Sequence, residues 1–515
     1  MIRFCCILLI LFFSIPGDIL AQAPSRYWIT FADKGQLTKS TPAVSDQAIN
    51  NRKNLGLPLH QSSDLPIYQP YIDSLASLAV KTIHRSKWLN AVSAEISPES
   101  LEEVRSLPFV SAIDRVDQRL KVLNVLEGNS PDFTSVLDQI NAKEIKAQNL
   151  DGSGVKIGII DVGYFGARVN ASLKPIFADD RVLGFRDYLQ PGNSKPFSNL
   201  QSFSNSHGTT VWKMVAGYNK SSNTQYGLAT GASYYLARTD HTNYEYRGEE
   251  DFWIEAIEWL DSLGVRLVNT SLGYSLGFDD PKENYSPEDM DGKSSKISVA
   301  AQIAADEKGM LIIVAAGNEG HDPNWRVVSA PADAKGVISV GATVAGSCAK
   351  IRYSALGPDF LNYVKPNIAC YSNNGTSFSA PIITGLAACI MQKNPDLTNY
   401  QIREVIERSG NLYPYANNYV GYGVPDGDRI IKLLEDIDHD FQRSEQITAD
   451  TDHFTLSIDS EKEERIVIFH KKNSFAVSGQ EEVIHQENQL QIERPENCSR
   501  STIALRDKVI EIIWP

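Results

Sequence analysis

Beyond its first two dozen residues the sequence has no apolar run long enough to cross a bilayer, which excludes a later membrane span. Positive charge is also scarce: 49 Lys and Arg oppose 63 Asp and Glu, for a net charge of -14. This balance disfavours nucleic acid as a partner, because phosphates would be repelled. No internal repeat or low-complexity tract is present. With 42% hydrophobic residues among 515, the composition excludes wholesale disorder and suits two to four domains.

The first residues have the layout of a secretory signal. Arg3 precedes an apolar run from Phe4 to Phe13, and small residues at Ala21 and Ala23 offer a cleavage zone. We therefore predict a signal peptide over residues 1–23 and a secreted, cell-surface or periplasmic protein. An N-terminal membrane anchor is the alternative, but the run is short for a span of about 20 residues.

Cysteine is rare, and its spacing is not that of a zinc site. Two of the six cysteines would leave with the signal. Cys348 and Cys370 flank one segment and could pair in an exported protein, although sequence cannot establish the geometry of a disulfide. Cys389 lies in an apolar helical stretch, which favours a buried free thiol.

Three regions follow, each with its own hydrophobic pattern. Residues 24–130 predict a small α+β unit, with strands at Tyr27–Phe31, Leu89–Ile96 and Phe109–Ile113 and a helix opening at Ser97. It ends in a polar linker near Glu127–Asp132. Residues 440–515 predict a small β-rich unit, with strands at 454–458, 465–469 and 508–513.

Residues 137–437 alternate short apolar strands with helices. The predicted strands are 155–160, 265–268, 311–314 and 337–340, and the predicted helices include 251–263 and 295–308. Such alternation predicts an α/β fold with a mostly parallel sheet buried on both faces. Reactive groups are then expected at the carboxyl ends of the strands.

Two segments offer a carboxylate and an imidazole. Asp161 directly follows the strand ending at Ile160, where a buried carboxylate needs a partner such as an imidazole N–H; capping the next turn is the alternative role. His207 stands before Gly208, which lets neighbouring backbone approach the ring closely. A lone histidine is more often structural, so neither segment is decisive.

Two further segments offer an amide and a hydroxyl. Asn318 follows the strand 311–314 among small residues, and its amide could donate to an oxyanion, although an Asn in a glycine-rich turn is also ordinary. Ser377 lies in Gly375–Pro381, which opens a helix running to about Lys393. A helix N-terminus favours negative charge, and a plain N-cap serine is the alternative.

The order Asp161, His207, Asn318, Ser377 resembles that of the subtilisin-like serine peptidases. The resemblance extends from near Leu137 to near Leu434. It implies a three-layer α/β/α catalytic domain and a secreted serine endopeptidase that forms an acyl-enzyme. In this scheme Ser377 attacks the scissile carbonyl, His207 carries the proton and Asp161 orients His207. The Asn318 amide and the Ser377 N–H would hold the oxyanion.

The resemblance also assigns the partners. Protein or peptide substrates would pair with Ser271, Leu272 and Gly273 as an added strand, with Gly317 and Thr376 as further substrate-binding residues. The N-terminal unit, through Asn90–Val116, resembles an inhibitory propeptide that is cut off near 117–135.

The chemistry itself needs no cofactor and no metal ligand. Structural calcium is compatible with the resemblance, and the acids of Asp279–Asp280 or Asp289–Asp291 are candidates. Such acids are also ordinary in solvated turns.

Two departures from the family pattern bear on activity. Val162 stands where Ser or Thr usually follows the catalytic Asp, so a nearby hydroxyl is lost. Phe378 replaces the usual Met or Leu after the nucleophile. The rival interpretation is therefore an inactive member that acts as a binding or scaffold protein. Residues 440–515 could serve in anchoring or sorting, in binding, or as a stabilising extension.

Overall fold

The computed structural model describes residues 24–39, 41–116, 135–193, 195–197, 204–241, 246–276, 284–458, 464–485 and 488–515. The predicted signal, most of the 117–135 linker and Asp279–Asp280 lie outside these residues. No helix among the described residues has the length and hydropathy needed to cross a membrane.

An antiparallel sheet with helices on one face forms the N-terminal unit. Its elements are β1 (Ser25–Phe31), α1 (Asp46–Asn54), α2 (Gln69–Ser77), β2 (Lys81–Ser86), β3 (Ala91–Ile96), α3 (Pro98–Arg105) and β4 (Val110–Val116). The strand order is β2-β3-β1-β4. Alternate residues of the central strands, such as Ile29 and Val92, are buried beneath α2 and α3. The period of two in these strands explains why sequence patterning located them.

A seven-stranded sheet is the centre of the molecule. Its elements, with the helices around them, are α4 (Ser135–Gln139), α5 (Ala142–Ala147), β5 (Lys156–Asp161), α6 (Lys174–Ala178), β6 (Val182–Asp187), α7 (His207–Ala216), β7 (Tyr218–Asn219), β8 (Thr224–Gln225), β9 (Ser233–Arg238), α8 (Glu249–Ser262), β10 (Leu267–Thr270), α9 (Lys296–Asp306), β11 (Leu311–Ala315), β12 (Ile338–Thr343), β13 (Ile368–Tyr371), α10 (Ala380–Lys393), α11 (Asn399–Ser409) and α12 (Gly427–Glu435). The order β13-β12-β11-β10-β5-β9-β6 is parallel throughout; β7 and β8 form a separate small ribbon.

Both faces of this sheet are buried, which confirms the predicted α/β class. Within β11, Leu311 and Ile313 belong to one core with α7, α10, α11 and α12. The intervening Ile312 and Val314 belong to a second core with α8 and α9. Burial on both sides explains the continuously apolar strands. Strands β6, β9 and β13 were absent from the sequence prediction: β6 and β9 carry polar residues or glycine, and β13 is only four residues long.

The N-terminal unit lies against helices α8 and α9 through buried charged contacts. Arg26 pairs with Asp251, and both side chains are nearly inaccessible. Asp64 accepts from Arg52 at 2.6 Å and from Lys308 of the central unit at 3.0 Å. These ion pairs make the contact specific, because separating the two surfaces would leave charged groups without their partners.

The C-terminal unit is a β-sandwich docked on the central unit. Its strands are β14 (Ser444–Thr448), β15 (His453–Ser457), β16 (Glu464–Lys471), β17 (Val477–His485), β18 (Gln489–Glu493), β19 (Arg500–Ala504) and β20 (Val509–Ile513). Five strands pair in the order β14-β20-β19-β16-β17, and β15 pairs with β18. One face of the larger sheet, including Val467 and Phe469, joins the core of the central unit. The predicted β-rich class of this unit is confirmed.

Candidate active site

The predicted site residues converge on one edge of the parallel sheet. Asp161 is the last residue of β5, Ser271 directly follows β10, and Asn318 comes three residues after β11. His207 is the first residue of α7. The carboxyl ends of parallel strands meet at this edge, so the topology brings these side chains together.

Asp161 and His207 form a hydrogen-bonded pair. Asp161 Oδ1 lies 2.7 Å from His207 Nδ1 and also accepts the backbone N–H of Val162 at 2.8 Å. The Asp161 side chain is fully buried, whereas His207 is 17% exposed. Because the Asp161 carboxylate is hydrogen-bonded to Nδ1, Nε2 is the ring nitrogen that can exchange a proton with another group. The pair therefore has the geometry of an oriented general base.

Gly208 makes this contact sterically feasible. A Cβ atom on Gly208 would lie 2.6 Å from the Gly163 carbonyl oxygen and 3.0 Å from Asp161 Cβ. Neither neighbour can move freely, because Asp161 is the last residue of β5 and the Gly163 carbonyl belongs to the backbone just after that strand. The predicted close approach at this glycine is confirmed.

A second carboxylate, Asp240, acts on the same histidine. Burial lowers the pKa of His207, but the charge and hydrogen bond of Asp161, with the charge of Asp240, raise it above its ordinary value. Burial raises the pKa of Asp240 itself to about 7, although Thr239 and Tyr274 donate to it. Sequence reasoning missed Asp240 because it missed β9. The available signal was the one that marked Asp161, an acid at the carboxyl end of a strand.

Ser377 lies in a 3-10 turn (Thr376–Phe378) that leads into α10. The helix itself begins at Ala380, three residues after Ser377, and Pro381 lies in its first turn. Proline favours this position because its fixed φ suits the start of a helix. The Ser377 hydroxyl donates to the Ser271 carbonyl at 3.3 Å, and no hydrogen bond joins it to His207. The Phe378 ring packs 5.4 Å from the His207 ring, which keeps the turn beside the histidine.

The side-chain amide of Asn318 is oriented by Thr376. Its Oδ1 accepts the Thr376 N–H at 2.8 Å and lies 3.1 Å from the Thr376 hydroxyl. A backbone N–H can only donate, so it must face the oxygen of the amide. Asn318 Nδ2 is then directed elsewhere and has no hydrogen-bond partner among the described residues. Both of its hydrogens are available to a ligand.

Thr376 and Gly375 fix this arrangement. The Thr376 side chain is fully buried, and its hydroxyl accepts the Gly317 N–H at 3.1 Å. Gly375 has φ of 120°, a conformation that residues with a Cβ rarely adopt. Thr376 therefore joins the serine turn to the asparagine loop. Its predicted contact with substrate remains a prediction.

The segments Ser271–Gly273 and Ala315–Gly317 both lie next to Ser329. Gly273 is exposed, whereas Ser271 and Leu272 are largely buried. Ser329 lies between the two segments: a Cβ atom on either Gly273 or Gly317 would come within 2.9 Å of its side chain. Ser329 has no local sequence signal, because it comes between these segments only through packing.

Within the described ranges, neither Asp289–Asp291 nor the cysteines show a metal-binding arrangement. Among the described residues no group of three or more His, Cys, Asp or Glu is placed to hold a metal ion. Asp289 accepts the Ser286 N–H, and Asp291 accepts the N–H groups of Lys293 and Ser294. Cys348, Cys370, Cys389 and Cys498 are all buried and free. The Cys348–Cys370 pairing is therefore not formed, whereas the free thiol at Cys389 is confirmed.

Comparison with known families agrees with this geometry. Residues 152–423 match the subtilase family (peptidase S8). Residues 26–131 match the peptidase S8 propeptide domain of Bacteroidota. The chain is 26% identical over 364 residues to subtilisin NAT of Bacillus subtilis subsp. natto, covering 68% of this chain and 82% of that protein. It is 29% identical over 276 residues to subtilisin DY of Bacillus licheniformis, covering 51% and 86%.

Solved structures share the fold at low sequence identity. Fervidolysin from Fervidobacterium pennivorans aligns with a TM-score of 0.53 and 14% identity, covering 93% of this chain and 70% of that one. The epidermin leader peptide processing serine protease of Staphylococcus aureus aligns with a TM-score of 0.55 and 15% identity, covering 80% and 100%. The family match spans more than half of the chain and includes every predicted site residue. This protein therefore belongs to the subtilase family and is a serine-type endopeptidase.

Proposed function

We propose that this protein is an exported endopeptidase in which Asp161, His207 and Ser377 form the catalytic triad. The observation that carries the proposal is the 2.7 Å contact between Asp161 and His207 beside the serine turn. The pair leaves His207 Nε2 to accept the Ser377 proton, and the buried carboxylate stabilises the resulting imidazolium. Ser377 must first exchange its hydrogen bond to Ser271 for one to His207, a change that rotation about χ1 can supply.

The chemistry then follows the acyl-enzyme route. Ser377 Oγ bonds to the scissile carbonyl carbon, and its proton passes to His207 Nε2 and then to the leaving amine. Water, activated by the same histidine, cleaves the ester. Asn318 Nδ2 and the Ser377 N–H are the proposed donors to the oxyanion. The free hydrogens of Asn318 support this role.

We also propose the assignment of substrate and inhibitor. A substrate strand would pair with Ser271–Gly273 on one side and with the Gly317 segment on the other. The N-terminal unit acts as an intramolecular inhibitor, since its strands already lie against α8 and α9. The proposed units are the signal 1–23, the propeptide 24–130, the peptidase 137–437 and the β-rich unit 440–515. If the protein binds calcium, the ion has a structural role and takes no part in the chemistry.

A single experiment tests activity and processing together. The full chain and its Ser377→Ala variant are expressed, and their masses are followed over time. The wild type should lose its N-terminal unit near 117–135, whereas the variant should not. If the wild type stays intact and casein survives both proteins, the triad is not competent. The rival interpretation, an inactive binding or scaffold member, would then be correct.

A further inference from the structure

A pocket whose lining includes no residue of the triad joins the central and C-terminal units. It lies between the end of α11, the start of α12 and residues 439–444, and its volume is about 240 Å³. Three arginines line it from three different elements: Arg408 from α11, Arg429 from α12 and Arg443 from the segment that leads into β14. His439 adds a fourth nitrogen-bearing side chain.

The guanidinium groups are held mainly by backbone carbonyls. Arg429 donates to the Ser409 carbonyl at 2.9 Å, and Arg443 donates to the carbonyls of Asp507 at 2.7 Å and Arg506 at 3.2 Å. Within the part of the chain that the structure describes, neither Arg429 nor Arg443 has a carboxylate at ion-pair distance. Arg408 has only Glu404, at 3.5 Å.

These positive charges are not balanced inside the pocket. Burial and the charge of Arg443 lower the pKa of Arg429 to about 10, against the opposing charges of Asp426, Asp428 and Asp507. A guanidinium whose pKa is lowered by burial and a neighbouring positive charge is stabilised by any anion that approaches it. Of the described residues that line the pocket, Asp440 is the single acid, and it is exposed.

Several donor groups of these two arginines have no acceptor among the described residues. Arg429 donates only from Nη1, and Arg443 donates only from Nε and Nη2. Nε and Nη2 of Arg429 and Nη1 of Arg443 therefore keep their hydrogens. Guanidinium groups bind phosphate, sulfate and carboxylate through paired N–H contacts. Tyr413 and Phe441 add apolar walls to the pocket, which is larger than one inorganic ion needs.

We propose that this pocket is a binding site for a small ligand that presents an oxyanion group, such as a phosphate, sulfate or carboxylate. The ligand bridges the peptidase unit and the C-terminal unit, because Arg429 and Arg443 belong to the two sides of the joint. Its occupancy stabilises the docking of the C-terminal unit. The proposal is independent of the triad, which shares none of these residues.

Calorimetric titration of the full chain tests the site directly. The Ser377→Ala background prevents self-digestion, and NaCl keeps the ionic strength constant while inorganic phosphate or sulfate is added. We expect saturable binding, weakened at least about tenfold by Arg429→Gln or Arg443→Gln, since each removes a paired charged contact. Asp440→Asn should tighten binding by about threefold, because it removes a repelling charge. Arg465→Gln, an exposed arginine elsewhere, should change nothing.

A second set of ligands distinguishes a free inorganic ion from an organic molecule that carries the oxyanion group. Glucose 6-phosphate carries a phosphate and glucuronate carries a carboxylate, each on a sugar ring that the aromatic walls would contact. Tighter binding than that of inorganic phosphate identifies an organic ligand, and equal binding identifies a free ion. The proposal is overturned if no saturable heat is found, or if the Arg429, Arg443 and Asp440 variants all bind like the parent. The Asp440 variant decides the matter if an arginine variant fails to fold.

Discussion

Asp161 presents only one of its two carboxylate oxygens to His207. Oδ1 accepts both the His207 ring nitrogen and the Val162 N–H, while Oδ2 is buried without a hydrogen-bond partner among the described residues. A buried charged oxygen that lacks a donor is unfavourable. This arrangement coincides with the departure noted in the sequence, where Val162 replaces a hydroxyl residue.

Restoring that hydroxyl should raise activity. We expect Val162→Thr to donate to Asp161 Oδ2, steady the carboxylate and raise kcat/KM by roughly fivefold, for a net hydrogen bond of about 1 kcal/mol. Val162→Ala is the matched control, because it changes the side chain without adding a donor. Equal kinetics for the two variants on a peptide amide substrate would show that Oδ2 does not limit the rate.

Loss of the Asn318 donor should lower kcat rather than raise KM. Asn318→Asp keeps an oxygen for the Thr376 N–H but removes both amide hydrogens, so the turn is preserved. We expect kcat to fall by at least about 10²–10³, because one oxyanion donor is lost and the new carboxylate repels the developing negative charge. If the variant yields little mature enzyme, the rate at which the propeptide is cleaved off reports the same catalytic step. An increase in KM alone would assign Asn318 to substrate binding.

Asp240 should control the acidic limb of the pH profile. His207 accepts a proton only when neutral, so activity rises with pH through its raised pKa. Asp240→Asn removes a negative charge that stabilises the imidazolium, and the limb should therefore move to lower pH. The asparagine still accepts the Tyr274 hydroxyl. Asp322→Asn, on a loop away from the pair, serves as control, and an unmoved limb in the Asp240 variant would contradict the assignment.

The buried Asp64 network should hold the N-terminal unit in place. Burial raises the pKa of Asp64, but Arg52 and Lys308 lower it from 3.8 to about 2. A lowered pKa means that its contribution is present above pH 3.8 and is lost as the pH falls towards 2. In the Ser377→Ala background, Asp64→Asn should cost about 3 kcal/mol at pH 7.

Thermal unfolding of the unprocessed protein measures this loss. The exposed Asp73→Asn is the matched control on the same unit. The difference between Asp64→Asn and its parent should shrink between pH 4 and pH 2. A difference that does not depend on pH would mean that the charge of Asp64 is irrelevant.

The C-terminal unit should behave as a stabilising extension. Gln480 accepts the Lys350 N–H at 2.9 Å and donates to the Lys350 carbonyl at 2.8 Å, an arrangement that clamps the two units. We expect Gln480→Leu to lower the midpoint of thermal unfolding by several degrees, because the Lys350 backbone groups lose their partners. Gln489→Ala, at an exposed position of β18, should have no effect. Unchanged stability in the Gln480 variant would favour anchoring or binding as the role of this unit.

Sequence alone determined the family, the parallel sheet and the residues of the proposed triad. These features are local: an acid after an apolar strand, a histidine before glycine and a serine in a small-residue turn each leave a signature within a few positions. The tertiary structure alone decided three other features. These are the orientation of Asn318, the approach of Asp240 to His207, and the meeting of Arg408, Arg429 and Arg443. Each joins side chains from separate elements, and no periodicity records which strand or helix packs beside another. Packing, not local propensity, sets the distances on which charge and hydrogen bonding depend.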